Sequence, residues 1–159
     1  MNSRSRRDFL QQGIVAVPVA AVVGASTRSA LAQTPAKREV VSGVLDLPFS
    51  RAVKYGGLIH VSGVMGNKPG SLEMASADFE PQCRQTLENL KASVEAAGAT
   101  MASVLKCTCF LTDAADFETM NKVYKTFFPT SPPARSTVVV KALVLPGGKI
   151  EIDCVACVA

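Results

Sequence analysis

The chain of 159 residues contains no tryptophan, two tyrosines and one histidine, His60. Each scarcity closes a route. A single histidine leaves no partner set for a histidine-based nucleophilic triad. Alone on a strand-like run, it reads as a structural residue before a base. Aromatic residues make up 6% of the chain, too few for the aromatic and basic interleaving of a nucleic-acid surface. No glycine loop of the phosphate-cradling kind is present; Gly56-Gly57 and Gly147-Gly148 punctuate turns. No apolar run approaches the roughly 20 residues that cross a bilayer.

What is present begins with a leader. Ser5-Arg6-Arg7-Asp8-Phe9-Leu10 is a twin-arginine pattern, an apolar run from Ile14 to Val23 is broken by Pro18, and Ala30-Leu31-Ala32 is a small-residue exit. Residues 1–32 are therefore expected to be a twin-arginine signal peptide cleaved after Ala32. The apolar run is too short for the alternative, an uncleaved anchor. Twin-arginine substrates are exported already folded, so the expected location is the bacterial periplasm, with no membrane association after cleavage. Residues 33–47 read as an extended lead-in and residues 48–159 as one domain, the mature chain being 159 − 32 = 127 residues. Without the leader, 17 − 4 = 13 Lys+Arg face 13 − 1 = 12 Asp+Glu, so the net charge falls from +4 to +1. No basic stripe remains, which argues against nucleic acid as a partner.

The domain alternates strands and helices. Ala52–Tyr55 and Leu58–Ser62 are strand-like and are split by Gly56-Gly57, a type I′ hairpin signal. Phe79, Cys83, Leu87, Leu90, Val94 and Ala97 form one helical stripe, predicting a helix over about Glu80–Ala97 with Asp78 as N-cap and Gly98 as stop. Val104–Leu111 is a strand. Thr112-Asp113 is expected to cap a second helix with Phe117, Met120, Val123 or Tyr124, and Phe127 on its stripe. A strand from Arg135 to about Lys141, a Leu145-Pro146-Gly147-Gly148 turn and a strand from Ile150 to Val158 close the chain. The order ββαβαββ predicts a two-layer α+β sandwich, with both helices on one face of a mixed sheet.

The other face then lacks cover. Thr137-Val138-Val139-Val140 is apolar on both sides, as in strands buried on both faces. A second copy of the chain is the simplest cover. Alternation places Ile150, Ile152, Cys154 and Ala156 toward the helices and Glu151, Asp153, Val155 and Cys157 away from them. The lone Arg135 and the lone Glu151 flank the last turn. A guanidinium fits a carboxylate bidentately, and a carboxylate on a buried strand needs a partner or a use. Arg135 and Glu151 are read either as a structural salt bridge or as parts of a site, their mutual register being open. The five cysteines, Cys83, Cys107, Cys109, Cys154 and Cys157, all lie in apolar elements. They are read first as core packing, then as one disulfide in an oxidising compartment. A metal centre is disfavoured by the opposed faces of Cys154 and Cys157.

Pro133-Ala134-Arg135-Ser136, the valine strand after it, Leu145-Pro146 and Lys149-Ile150-Glu151-Ile152 resemble the signature of the RidA/YjgF reactive-intermediate deaminase family. The likeness extends through Pro48-Phe49-Ser50, Ala52-Val53, Val61-Ser62-Gly63, Glu95-Ala96-Ala97-Gly98 and Asn121-x-x-Tyr124-x-x-Phe127-Phe128. The resemblance implies a chorismate-mutase-like fold and a homotrimer with clefts between subunits. It also implies cofactor-free hydrolysis of enamines and imines such as 2-aminoacrylate to 2-keto acids and ammonia. Carried over, Arg135 grips the substrate carboxylate, Glu151 positions or activates water, and Ser62, Gly63 and Asn121 line the cleft.

Two positions depart from the family pattern: Phe49 replaces a frequent tyrosine and Thr137 a frequent cysteine, while the loop before the last strand is one residue longer. These bear on the polar half of the cleft, where Phe49 and Thr137 would contact substrate. A small-carboxylate binding module or a holdase of the same fold is the competing expectation. Ribonuclease activity, attached to parts of the family, finds no basic surface here.

Overall fold

Local rules set most elements of the computed structural model, which describes residues 36–158. The expected leader at residues 1–32 lies outside the described residues. Gly56 and Gly57 take φ of +59° and +82°, as a type I′ turn requires, and join β2 (Ala52–Tyr55) to β3 (Leu58–Met65). α1 spans Phe79–Ala96 and stops at Gly98, φ +85°. β4 (Val104–Leu111), α2 (Phe117–Phe127), β5 (Ala134–Val139) and β6 (Ile150–Cys157) follow. The lead-in holds one strand more than expected, β1 (Glu39–Val41), which pairs with β2.

One expected N-cap holds in position and the other is displaced. Asp78 occupies the cap position of α1, but its side chain makes no capping bond; its own N–H donates to Ser76 Oγ at 3.0 Å. Asp113 does accept from the Ala115 N–H at 2.9 Å, yet it caps a single 3-10 turn, and α2 begins after that turn.

The sheet order is β1-β2-β3-β6-β4-β5, antiparallel except for β4 and β5. The last turn therefore does not join neighbours. The crossover through α2 sets β5 parallel to β4 on its outer side, and β6 inserts between β3 and β4. The Leu145–Gly148 turn does form, with the Gly148 N–H donating to Leu145 O at 3.1 Å.

One core lies between sheet and helices. Cys107, Cys109 and Leu111 of β4 and Ile150, Ile152, Cys154 and Ala156 of β6 meet Cys83, Leu87, Leu90 and Val94 of α1 and Met120, Val123 and Tyr124 of α2. The alternation expected for β6 is borne out. Four thiols are buried in this core and all five are free. Burial pushes Cys83, Cys109 and Cys154 up to about 12, which suppresses the reactive thiolate. The opposite face carries Thr108, Phe110, Glu151, Asp153 and Val155, with His60 exposed. Within one chain Val138 and Val139 of β5 are 44% and 55% exposed, and β5 is an edge strand with one neighbour, so any cover for this apolar strand comes from outside the chain.

Gln82 joins the layers. Its Nε2 donates to Ser76 O and Gly147 O, both at 3.0 Å, and its Oε1 accepts from the Lys149 N–H at 2.6 Å. α1 rides so close to the end of β3 that a Cβ on Gly66 would run into the Gln82 backbone carbonyl. Backbone cannot rotate away as a side chain can. Gly66→Ala is expected to cost about 1–3 kcal/mol, the usual range for overpacking. A urea unfolding curve checks this, and an unchanged midpoint would contradict the packing described.

Candidate active site

β3 makes a bulge where the site is built. Val61 lies opposite Cys154 and Val64 opposite Ile152, so Ser62 and Gly63 share the register of Asp153 alone. Such bulges re-aim groups beside active sites. Ser62 is fixed by two bonds: its N–H donates to Arg51 O at 3.1 Å and its hydroxyl to Ser50 O at 2.8 Å. Its hydroxyl proton is thereby committed to holding the segment that carries Phe49. Gly63 leaves room for one thing: a Cβ there would overlap Oε1 of Glu151.

Glu151 sits on β6 opposite Met65 and Phe110, on the face away from the helices. It forms no ion pair among the described residues. Burial, and secondarily the charge of Asp153, raise its carboxyl above the usual carboxylate range. Phe49, Ser62, Gly63 and Glu151 line one cavity of about 810 Å³, with Arg51 and Leu72 also on its wall. Phe49 is 57% exposed there and offers a ring without a donor.

Arg135 belongs to a second group. It lies opposite Cys107 of β4, hence on the helix face. Its Nη2 donates to Asn121 Oδ1 of α2 at 2.6 Å. The guanidinium carbon lies 4.7 Å from the Tyr124 ring centroid and 5.7 Å from that of Phe117. No ion pair among the described residues includes Arg135, so Arg135 and Glu151 form no salt bridge within one chain. Thr137 shares the Arg135 face, opposite buried Cys109.

The expected site residues thus form two sets: Phe49, Ser62, Gly63 and Glu151 in one, Arg135, Asn121 and Thr137 in the other. The sheet divides them. Arg135 and Glu151 attach to opposite faces, across β4 and three positions apart along it, at Cys107 and Phe110. Sequence reading placed Phe117 and Tyr124 only on a core stripe. The spacing of Phe117, Asn121 and Tyr124, four and then three residues, already put one amide and two rings on a single helix face.

Fold and half-sites define a two-layer, chorismate-mutase-like α+β domain carrying an arginine and a half-buried carboxylate that have no ion-pair partner among the described residues. Residues 45–158 match the family model described as Endoribonuclease L-PSP. The chain belongs to this family, which is the RidA/YjgF family expected from the residues around Arg135. It is 44% identical over 109 residues to Reactive Intermediate Deaminase A, chloroplastic, of Arabidopsis thaliana, covering 69% of this chain and 58% of that protein. The match therefore spans less than two thirds of that plant relative. It is 38% identical over 109 residues to 2-iminobutanoate/2-iminopropanoate deaminase of Homo sapiens, covering 69% of this chain and 79% of that one. Among solved structures, the YjgF gene product of E. coli superposes with a TM-score of 0.68 at 36% identity, over 74% of this chain and 96% of that one. RidA from an Antarctic Psychrobacter gives 0.70 at 33%, over 75% and 98%.

The raised carboxyl of Glu151 has a thermodynamic consequence. Folding favours the neutral form relative to the unfolded chain, so its contribution to stability is present below the ordinary value of 4.5 and is lost as pH rises through the raised one. Glu151→Gln is expected to raise the thermal midpoint at pH 7 and leave it nearly unchanged at low pH, where Glu151 is itself neutral. A lower midpoint at pH 7, measured by calorimetry, would contradict the unpaired burial of this group.

Proposed function

We propose that the protein is a hydrolase that deaminates reactive 2-enamino and 2-imino acids, such as 2-aminoacrylate, to 2-keto acids and ammonia. The observation that carries this reading is Arg135: a guanidinium held by an amide and two rings, with no acid paired to it. A planar fork of this kind takes a carboxylate through two charge-assisted hydrogen bonds. Glu151 then orients a water toward the imine carbon and accepts its proton. Glu151 passes that proton to the imine nitrogen, giving a tetrahedral amino alcohol; it then takes the proton of the new hydroxyl and delivers it to nitrogen, the C–N bond breaks, and ammonia leaves as the ketone forms. Imine and water thus give keto acid and ammonia, with Glu151 returned to its starting state. A carboxyl raised toward neutrality suits this exchange, and positioning supplies most of the remaining acceleration. No cofactor is required.

The reading places each site in a cleft between subunits of a homotrimer, Arg135 from one copy meeting Glu151 of the next. Two observations support a shared site: the division of the two residue sets by the sheet, and the exposed apolar surface of β5. The twin-arginine pattern Ser5-Arg6-Arg7-Asp8-Phe9-Leu10 supports a periplasmic location. The family description names an endoribonuclease, but a net charge of +1 over residues 33–159, from 13 Lys+Arg and 12 Asp+Glu, favours a small acid over nucleic acid. The exposed, donor-free Phe49 favours a second reading, a binding module for small 2-keto acids without turnover. A holdase of the same fold is the third.

Timing pyruvate release from enzymatically generated 2-aminoacrylate separates these readings. The wild type is expected to exceed the spontaneous rate, and Arg135→Ala to lose about a hundredfold in kcat/KM, the worth of two charge-assisted bonds. Equal rates for the two proteins would overturn the deaminase reading. Arg135-dependent binding of 2-ketobutyrate without turnover would select the binding module, and suppression of aggregation that survives Arg135→Ala would select the holdase.

A further inference from the structure

We propose that Phe117 and Tyr124 are positioning residues that hold Arg135 ready for a carboxylate without neutralising it; this rests on the deaminase reading above. Arg135 stands on an edge strand, where a long side chain is otherwise free to sample many rotamers. Acidic groups ordinarily fix such an arginine. An acid here would compete with the substrate carboxylate for the same N–H groups and repel its charge. An aromatic face attracts a cation through its quadrupole and carries no net charge, so it fixes the guanidinium and leaves its full charge for the ligand.

The geometry fits that role. Both rings lie within cation–π range of the guanidinium, at 4.7 and 5.7 Å. Tyr124, 5% exposed, is itself braced by Phe128, with ring centroids 4.6 Å apart. Its hydroxyl lies toward the buried Cys107 thiol, and its ring face is the part that meets Arg135. Phe117 opens α2 and is 42% exposed, outside the buried core, so its contact with Arg135 gives it a use that packing does not. Asn121, between them on the same helix face, takes a single N–H of Nη2. The other guanidinium N–H groups lie in a plane fixed by the rings and the amide, which favours a planar carboxylate met edge to edge.

Steady-state kinetics with 2-aminoacrylate, and calorimetry with 2-ketobutyrate, test the assignment on the full protein. Phe117→Ala is expected to raise KM and Kd about two- to fivefold, the range that cation–π energies at an exposed ring convert to. It should leave kcat, thermal midpoint and elution volume nearly unchanged. Phe117→Tyr, which keeps a ring, should restore KM. Phe117→Glu, which supplies a competing acid, should raise KM beyond the alanine variant. Unchanged KM and Kd in Phe117→Ala, alongside a large loss in Arg135→Ala, would overturn the positioning role and leave the deaminase reading standing. Arg135→Ala behaving as wild type would overturn both.

Discussion

Arg135 and Glu151 stand on opposite faces of one sheet, and much of the molecule follows from that separation. Each is an ionisable group without an ion-pair partner among the described residues, one under α2 and one over the β3 bulge. Had they met within the chain, they would have neutralised each other, and neither would be available to a ligand. A charged pair that close is strongly coupled and hard to part once desolvated. Holding them apart leaves neither neutralised by the other within one chain, and the proposed shared site is what would bring them together.

The rest of the domain supplies the two mounts. On one side, a bulge and a glycine clear a space that only the Glu151 carboxylate fills, while Ser62 ties the neighbouring segment down. The buried Gln82 locks the loop after β3 to the turn before β6, so the strand carrying Glu151 starts from a fixed point. On the other side, α2 sets an amide and two rings against an edge strand. The core beneath both mounts is dense with cysteine, whose thiols burial keeps protonated. They serve there as small apolar packing.

Much of this was legible from residues alone. The 3.6-residue stripe from Phe79 to Val94 gave α1, the paired glycines gave the β2–β3 turn, and strict alternation in Ile150–Cys157 gave the face of Glu151. Pairing between distant strands was not legible. Nothing in the Pro-Gly turn says that β4 intervenes between β5 and β6, because a short turn and a turn inside a longer crossing loop have the same local chemistry. The bulge at Ser62-Gly63 was hidden for a related reason: it is a property of the register between β3 and β6. The second cap was displaced for a third reason, since Asp113 serves an extra 3-10 turn that local composition does not distinguish from a first helical turn. Site residues were legible as types and not as sets. The family likeness around Arg135 and Glu151 named the residues, and only the sheet showed which of them one chain can bring together.

The central claim is that one active site takes Arg135 from one copy and Glu151 from another. Mixing subunits tests it most directly. Arg135→Ala and Glu151→Gln proteins, each inactive alone, are unfolded together, refolded at equal concentration and assayed for 2-aminoacrylate deamination. If sites are shared around a closed ring of three, random assembly leaves about a quarter of the clefts with both native residues, so about a quarter of wild-type activity returns. If each site is built from a single chain, every cleft carries one lesion, and the mixture stays as inactive as its parts.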